Sequence, residues 1–324
     1  MKAMVARAWG EPSTLEYADV PAPVPGPGEV GIDVRAVGCN FPDILIVQGK
    51  YQKRPPLPFS PGAEVAGVVN AVGPDVVGLS RGQRVYALMG GGGYAEAVVA
   101  PAARVYPLPA AMTFEQGAGF GLVYGTSYGA LVHRAGLRAG ETLLVHAAAG
   151  GVGLAAVQIG KVLGARVLAT AGSPEKLAVA KAAGADVLID YRDGDWIERV
   201  KAETGGNGAD VIYDPVGGDV FDGSTRCIAF EGRLLVVGFT SGRIADVATN
   251  RVLLKNISIV GVHWGLYSER NPGLVRACMA ELNALAEAGK IAPVIFKTFP
   301  LREAAQALAA IASRESYGKV VLIP

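Results

Sequence analysis

The sequence predicts an α/β protein with a β-rich first domain and a second domain built on a doubly wound parallel sheet. Up to about residue 120, short apolar runs such as 65–72 and 84–88 are separated by Pro/Gly turns, which is typical of an irregular barrel or sandwich. From residue 142 to about 264, apolar strands alternate with helices, which is typical of a doubly wound sheet. The two patterns therefore predict two different domains in one chain.

Six strands are expected in the second domain, near residues 142–147, 166–171, 187–189, 210–214, 233–238 and 258–263. One helix between them has explicit boundaries, because Ser173 can cap it, Pro174 suits its first position and Gly184 follows its last turn. An earlier helix over 126–135 is expected to end at Gly136. The later elements are expected to be a helix over 272–289, a strand near 294–299, a helix over 301–313 and a strand over 319–323. We expect this tail to return to the first domain.

A glycine-rich turn joins the first strand of the second domain to the helix that follows it. It reads Ala148-Ala149-Gly150-Gly151-Val152-Gly153, with alanine in the first position of the usual G-x-G-x-x-G pattern. Small residues there let the backbone approach a pyrophosphate, whose charge is stabilised by free N–H groups and by the helix dipole. An ordinary tight turn would give the same letters, so the dinucleotide interpretation depends on the residues considered below.

Composition and charge exclude several classes of function. The 324 residues are 51% hydrophobic and 18% charged, which indicates a folded globular protein rather than a disordered chain. A net charge of +1 gives no reason to expect nucleic acid or an anionic membrane as a partner. The three cysteines are too scattered for a disulfide framework or a zinc cluster and fit a reducing compartment. The N-terminal residues lack the apolar core of a signal peptide, so a cytoplasmic protein is expected.

Several ordered motifs resemble those of one family. They are Asn40-Phe41-Pro42-Asp43, Gln48-Gly49-Lys50-Tyr51, Pro58-Phe59-Ser60-Pro61-Gly62-Ala63-Glu64-Val65-Ala66-Gly67, Tyr124-Gly125-Thr126 and Leu322-Ile323-Pro324. With the glycine turn, they make the chain similar over nearly its full length to the zinc-independent medium-chain dehydrogenases/reductases of the quinone oxidoreductase (zeta-crystallin-like) group. The resemblance implies a GroES-like β-barrel catalytic domain over residues 1–122 and 267–324, and a Rossmann NADPH-binding domain over residues 123–266.

Two departures from the zinc alcohol dehydrogenases, a more distant resemblance, predict a metal-free enzyme. In those enzymes the position of Asn40 carries a cysteine ligand and the position of Ala63 a histidine ligand, and neither residue found here is an ordinary zinc ligand. Cys39 lies one residue away and is expected to be a small buried residue. The four-cysteine lobe that binds structural zinc is missing as well, so no metal-binding residue is predicted.

The end of the second strand of the parallel sheet predicts NADPH rather than NADH. Sheets that select NADH usually present an acid there to bind the ribose 2′-hydroxyl, whereas this strand ends in Thr170-Ala171-Gly172-Ser173. A 2′-phosphate requires donors and positive charge. By resemblance, Ser173, Lys176, Tyr191 and Arg314 form its pocket, with Tyr191 beside the adenine. A helix cap is the alternative role for Ser173, and solvated surface charge is the alternative for Lys176 and Arg314.

The resemblance implies further cofactor contacts at the carboxyl ends of the parallel strands, where such sheets bind ligands. They are Asn40 and Thr126 near the nicotinamide, Gly150, Gly151 and Val152 at the pyrophosphate, Gly172 beside Ser173, Val216, Gly238, Phe239, Thr240 and Ser241 after the fourth and fifth strands, and His263 and Trp264 after the sixth. Core packing is the alternative for Phe239 and Trp264.

The expected reaction is delivery of a hydride from NADPH to a quinone or another conjugated carbonyl compound. A second interpretation makes the chain an enoyl thioester reductase, because Asn40, Tyr51 and the residues around them also match that related group. The matching tyrosine is its proposed proton donor, and a phenol is protonated at neutral pH. A tyrosine packed at the edge of the cleft is the alternative. Asp43 and Glu64 are expected to be structural carboxylates, with Asp43 accepting from backbone N–H groups and orienting Asn40.

A non-catalytic role belongs to a different class of function. Proteins of the zeta-crystallin-like group also serve in the lens or bind AU-rich RNA. The near-neutral charge and the absence of a basic stripe in the sequence favour an enzyme.

An apolar edge strand at 257–260 predicts self-association. Exposed strand edges pair readily, and the resembled family often dimerises by joining two such sheets. We therefore predict a homodimer.

Overall fold

Two large β-sheets of different construction and a small two-stranded sheet organise the chain, which the computed structural model describes over residues 1–52 and 54–324. One compact unit comprises Met1–Leu122 and Ala286–Pro324, and the other comprises Val123–Leu285. We refer to these as unit 1 and unit 2.

Secondary structure alternates in character along the chain. Within the described residues the strands are β1 (Lys2–Val5), β2 (Glu16–Asp19), β3 (Glu29–Cys39), β4 (Glu64–Val72), β5 (Arg84–Leu88), β6 (Ala97–Pro101), β7 (Val105–Pro107), β8 (Thr142–Val145), β9 (Arg166–Ala171), β10 (Val187–Asp190), β11 (Ala209–Asp214), β12 (Ile228–Val236), β13 (Ser258–Gly261), β14 (Ile295–Pro300) and β15 (Lys319–Ile323). The α-helices are α1 (Phe41–Val47), α2 (Phe114–Ala118), α3 (Gly121–Tyr128), α4 (Gly151–Val162), α5 (Pro174–Ala182), α6 (Trp196–Glu203), α7 (Gly218–Cys227), α8 (Thr249–Lys255), α9 (Trp264–Arg270), α10 (Pro272–Glu287) and α11 (Ala304–Ala312).

Unit 1 is built around a mainly antiparallel sheet in the order β14-β15-β3-β4-β5-β7, with β6 also paired to β3. The long strand β3 pairs with β4 on one side, and its last residues pair with β15 on the other. That pairing sets Val320 opposite Cys39. From Ala286 onward the predicted tail therefore returns to unit 1, and β15 begins beside the end of β3.

Unit 2 is a parallel sheet in the order β10-β9-β8-β11-β12-β13. Strand order reverses between β8 and β11, which is the point at which doubly wound sheets bind ligands beyond the carboxyl ends of their strands. The predicted doubly wound architecture is confirmed. The cap of α5 is also confirmed, because the Ser173 hydroxyl accepts from the N–H of Lys176 at 3.2 Å.

The second boundary between the units lies later than the sequence suggests. We expected residues from 267 onward to join the first domain, whereas α10 belongs to unit 2 through residue 285. The reason is packing, because Met279 on α10 is fully buried beside Gly125 of α3. A Cβ on Gly125 would lie 3.4 Å from the Met279 sulfur. The helical path predicted over 126–135 starts earlier, in α3, and continues through the wider π-helical turns of Gly129–Arg134.

Among residues 1–52 and 54–324, none of the helices combines the length and the hydropathy that spanning a bilayer requires.

Candidate active site

A buried polar network lies where β3 ends and α1 begins. Asn40 stands at this junction in extended conformation and is buried. Its side chain turns inward, toward Glu64 and Lys319. The amide Nδ2 donates to Glu64 Oε1 at 3.0 Å and to the carbonyl of Gly38 at 3.3 Å, and the amide Oδ1 accepts from Lys319 Nζ at 2.6 Å. The Asn40 amide is thus held between a carboxylate and an ammonium.

Lys319 supplies the positive charge of this network. Its Nζ donates to the carbonyl of Cys39 at 3.0 Å and to Glu64 Oε1 at 2.8 Å, in addition to Asn40. Its side chain is 4% exposed and that of Glu64 is 2% exposed, so the ion pair is removed from water. Charges taken out of water are tolerated only when they are paired and hydrogen-bonded.

Glu64 is the first residue of β4 and connects three parts of unit 1. Its Oε2 accepts from the N–H of Leu122 at 3.0 Å, while Oε1 accepts from Asn40 and Lys319. Gly38 leaves the space for this carboxylate, because a Cβ there would lie 2.6 Å from Glu64 Oε1. These contacts agree with the expected structural role of the Glu64 carboxylate.

Asp43 holds the backbone at the start of α1. Its Oδ2 accepts from the N–H of Asn40 at 2.8 Å and from the Tyr94 hydroxyl at 3.1 Å. The expected bond between this carboxylate and a backbone N–H is therefore confirmed. Burial raises the pKa of Asp43 to about 6, against the opposing effects of the Asn40 N–H, the Lys319 charge and the Tyr94 hydroxyl.

Two other predicted site residues belong to different units: Tyr51, the candidate proton donor, to unit 1, and Thr126, expected near the nicotinamide, to unit 2. Tyr51 is half-buried and follows α1, the helix that Asn40 begins. Thr126 is half-buried on α3 of unit 2. Its neighbour Ser127 donates to the carbonyl of Val152 at 2.9 Å, which ties α3 to the glycine turn.

The glycine turn of unit 2 has the close packing that its sequence predicts. Gly150 precedes α4, and its N–H donates to the carbonyl of Ala147 at 2.9 Å. A Cβ on Gly153 would overlap that same carbonyl oxygen, so only glycine allows the helix to start so close to the strand. Gly151 and Val152 form the first turn of α4, whose N–H groups have no partners within the helix. The turn is a cradle suited to a pyrophosphate.

The end of β9 brings together three residues of the predicted 2′-phosphate pocket. The Tyr191 phenol lies over Gly172, since a Cβ there would overlap the phenol oxygen, and Ser173 is next in the chain. Tyr191 is 47% exposed, which leaves its ring accessible. Lys176 occupies the first turn of α5, beside its cap. Arg314 lies apart in sequence, on an exposed turn of unit 1 after α11.

A carboxylate close to this pocket is neutralised. Asp190 ends β10 immediately before Tyr191, and its Oδ2 pairs with the Arg192 guanidinium at 2.6 Å. Hydrogen bonds from Arg192 lower the pKa of Asp190. The negative charge of Asp190 is therefore paired with the Arg192 guanidinium.

The loops after β11 and β12 are bonded to each other. The buried carboxylate of Asp214 accepts from the N–H of Val216 at 2.7 Å, and burial raises its pKa despite this bond. The Thr240 hydroxyl donates to the carbonyl of Pro215 at 3.1 Å, and the N–H of Ser241 donates to that of Val216 at 3.0 Å. These bonds collect the predicted residues Val216, Gly238, Phe239, Thr240 and Ser241 at one end of the sheet.

The two residues after β13 have different surroundings. His263 is exposed and caps α9, accepting through Nδ1 from the N–H of Leu266 at 3.2 Å. Trp264 is buried against Gly125 of α3 and against Gly129 of the π-helical turns that follow it. Core packing, the alternative role for Trp264, is what the structure shows, and a contact with the cofactor stays a prediction. Phe239, by contrast, is exposed.

Comparison with known proteins decides the family. Residues 26–110 match the model of the alcohol dehydrogenase GroES-like domain, and residues 151–281 match that of the zinc-binding dehydrogenases. A quinone oxidoreductase-like protein 2 homolog from Nematostella vectensis is 42% identical over 92% of this chain and 82% of its own length. The quinone oxidoreductase of Rattus norvegicus is 36% identical over 100% of this chain and 98% of its own. The chain belongs to the quinone oxidoreductase group of the medium-chain dehydrogenases/reductases.

A solved structure of the same group has the same fold. The crystal structure of Escherichia coli quinone oxidoreductase complexed with NADPH aligns over 100% of both chains, with a TM-score of 0.93 and 32% identity. The GroES-like and Rossmann domains expected from the sequence are confirmed by these matches.

One matched family model is named for zinc, but the residues around Asn40, where the zinc alcohol dehydrogenases carry a zinc ligand, do not fit that metal. Asn40 and Glu64 both contact the ammonium of Lys319, whose positive charge repels a dication. Cys39 is buried, and burial raises the pKa of its thiol to about 12, which opposes the thiolate that zinc requires. Within residues 1–52 and 54–324, no group of three or more His, Cys, Asp and Glu side chains is arranged to hold a metal ion.

Two residues of this network were not predicted from the sequence. Lys319 was expected only as the first residue of the closing strand over 319–323, and Tyr94 was given no role. The available signal for Lys319 is one charge at the head of an otherwise apolar strand.

His146, in unit 2, is buried between Thr170 and Ser224. Burial lowers its pKa to about 3, so it is a neutral structural residue.

Proposed function

We propose that this chain is an NADPH-dependent oxidoreductase that reduces a quinone or another conjugated carbonyl compound without zinc. The observation that carries the proposal is the end of β9, where Gly172, Ser173 and Tyr191 surround a position that holds an acid in NADH-selective sheets. The NADPH complex of the Escherichia coli relative supports the same choice. Three buried free cysteines are consistent with action in the reducing cytoplasm.

In this proposal unit 2 binds most of the cofactor. Gly150, Gly151 and Val152 hold the pyrophosphate at the start of α4, where N–H groups and the helix dipole favour an anion. Gly172, Ser173, Lys176 and Arg314 surround the 2′-phosphate, and Tyr191 packs on the adenine. The residues assigned to the remaining cofactor surface are Thr126, Val216, Gly238, Phe239, Thr240, Ser241, His263 and Trp264.

The chemistry of the reaction divides between cofactor and protein. Bound NADPH supplies a hydride, and a quinone accepts it and takes a proton from water to give the hydroquinone. The protein binds and orients the reactants, with Asn40 assigned to the nicotinamide end. The proposed reaction needs no zinc, because a quinone is electrophilic without a Lewis acid, and the Lys319 ammonium beside Asn40 disfavours a dication there.

The proposed reaction is tested by following NADPH oxidation at 340 nm with the acceptors 1,4-benzoquinone and crotonyl-CoA, using enzyme treated with a chelator. We expect turnover with the quinone and no loss of activity after chelation. A chain that binds NADPH without oxidising it would support the non-catalytic class instead.

Replacing Lys176 by alanine is expected to reduce the preference for NADPH over NADH by about 10-fold or more, because a hydrogen bond to a charged group contributes about 1.5–3 kcal/mol. The loss should appear in kcat/KM for NADPH and leave the value for NADH unchanged. Lys181→Ala is the matched control, since Lys181 is an exposed lysine on the same helix. An unchanged preference in Lys176→Ala would remove Lys176 from the pocket.

A second candidate function is favoured by one feature of unit 1. Asn40 and Tyr51 flank the same short helix, α1, and the side chain of Tyr51 is half-buried. An enoyl thioester reductase needs a proton donor for the enolate that hydride addition creates. Tyr51 is the residue of this chain that we assign to that step.

We further propose that the protein is a homodimer formed along the edge strand β13. Next to this edge, Leu253 and Leu254 on α8 are 74% and 76% exposed, which is unusual for two adjacent leucines. Light scattering at micromolar concentration should give about twice the chain mass of 33.3 kDa. Leu254→Glu should shift the mass toward the monomer, whereas Val77→Glu, at an exposed valine of unit 1, should not.

A further inference from the structure

We propose that Lys319 is a positioning residue that, together with Glu64, fixes which atom of the Asn40 amide faces the cofactor. This inference rests on the proposed function, in which Asn40 lies at the nicotinamide. The amide oxygen is the atom left with hydrogen-bonding capacity, so Asn40 should accept from an N–H donor. The carboxamide of the nicotinamide ring is such a donor.

The two charged partners determine the orientation of the amide. An ammonium can only donate hydrogen bonds, and a carboxylate can only accept them. The Lys319 ammonium therefore selects Oδ1, at 2.6 Å, and the Glu64 carboxylate selects Nδ2, at 3.0 Å. A flipped amide would lose both bonds and would set like partial charges against each other. One orientation is therefore strongly preferred over the other.

Counting donors and acceptors identifies the free atom. Nδ2 carries two hydrogens, and both are used, by Glu64 Oε1 and by the carbonyl of Gly38. Oδ1 has two lone pairs, of which Lys319 takes one. The remaining lone pair of Oδ1 is the capacity that Asn40 offers to a ligand, and it recognises a donor.

The ammonium of Lys319 is itself held in place by three hydrogen bonds. Its Nζ carries three hydrogens, and three oxygens lie within hydrogen-bond distance, from Cys39, Asn40 and Glu64. The pairing of Val320 with Cys39 fixes the backbone of the lysine beside the end of β3. The lysine thus links the closing strand of the chain to the residue assigned to the nicotinamide.

The test is a double-mutant cycle read by NADPH affinity. The dissociation constant of NADPH is measured by fluorescence titration for the wild type, Lys319→Met, Asn40→Ala and the combination of both. We expect Asn40→Ala to weaken binding about 10-fold, as loss of one hydrogen bond does. Lys319→Met should weaken binding by a similar factor, and the combined variant should bind no more weakly than Asn40→Ala alone.

Two additions keep the cycle interpretable. Lys297→Met, on the neighbouring strand β14, makes the same change at an exposed lysine and should leave the affinity unchanged. If Lys319→Met does not fold, the pair Lys319→Met/Glu64→Gln replaces it in both backgrounds, because that pair removes both buried charges together. The same non-additivity is expected there.

The outcomes separate this inference from the function on which it rests. Losses that multiply to about 100-fold in the combined variant would show that Lys319 acts independently of Asn40, and would overturn the inference. An unchanged affinity in Asn40→Ala would also overturn it, while leaving NADPH binding intact. A wild-type chain that does not bind NADPH would instead overturn the proposed function.

Discussion

Lys319→Met is expected to lower the free energy of unfolding by about 3–5 kcal/mol, because it leaves a buried carboxylate without its counter-charge. The Glu64 side chain is 2% exposed, and water cannot replace the ammonium that pairs with it at 2.8 Å. The substitution also removes the donor that Asn40 Oδ1 accepts and leaves the carbonyl of Cys39 without this partner. Urea unfolding followed by circular dichroism measures the change.

Removing the charge of Glu64 as well is expected to restore a large part of the lost free energy of unfolding. In Lys319→Met/Glu64→Gln the buried site is neutral, so the cost of an uncompensated ion disappears. Recovery should be incomplete, because one glutamine oxygen cannot accept from both Asn40 and Leu122 as the two carboxylate oxygens do. A glutamine N–H would then face a backbone donor.

A surface ion pair of similar length is the appropriate control. Lys2 and Asp19 pair at 2.7 Å, but their side chains are 39% and 78% exposed. Water screens such pairs, and their removal usually changes stability little. Lys2→Met should therefore be close to the wild type. If Lys319→Met were equally stable, the ion pair with Glu64 could not be an organising contact of unit 1.

The fold of unit 2 could be predicted from the sequence because its signals are local. The strand, the glycine turn and the start of α4 lie within a dozen consecutive residues, and the cap of α5 is specified by Ser173 and Pro174. Each such signal depends only on neighbouring residues in the chain, so it can be identified without the tertiary structure. The order of the six strands then follows from the general construction of doubly wound sheets.

The same reasoning explains why one carboxylate was assigned correctly and one lysine was missed. Asp43 lies three residues after Asn40, so its bond to the Asn40 N–H is a contact within one helical turn. Lys319 reaches Asn40 across 279 positions of sequence, through the pairing of β15 with β3. The sequence of either strand alone does not determine the register of that pairing. The sequence shows only that Lys319 is a charged residue at the start of an apolar strand.

Packing also moved the boundary that the strand pattern suggested. The last parallel strand ends near residue 261, which made 266 a natural end for the second domain. The apolar side of α10 nevertheless packs on α3, with Met279 beside Gly125. The apolar face of an amphipathic helix predicts that this face is buried, but it does not identify the element that packs against it.

Tyr51→Phe is expected to lower turnover of crotonyl-CoA by about 10²–10⁴-fold if the phenol is the proton donor, since this is the usual contribution of general acid catalysis. The substitution removes one oxygen and keeps the ring, so the packing around α1 is preserved. Turnover of 1,4-benzoquinone should be unchanged, because the hydroquinone takes its proton from water. Steady-state rates with both acceptors at saturating NADPH make the comparison.

The pattern of losses assigns the role of Tyr51. Tyr17→Phe, at an exposed tyrosine of the same unit, should leave both rates unchanged and controls for removal of a hydroxyl. A loss with crotonyl-CoA alone makes Tyr51 an acid for enoyl reduction. Equal losses with both acceptors would contradict that role, because the quinone needs no donor, and would make Tyr51 a residue that shapes the binding site. Only the first result makes an enoyl thioester the better substrate class for this chain.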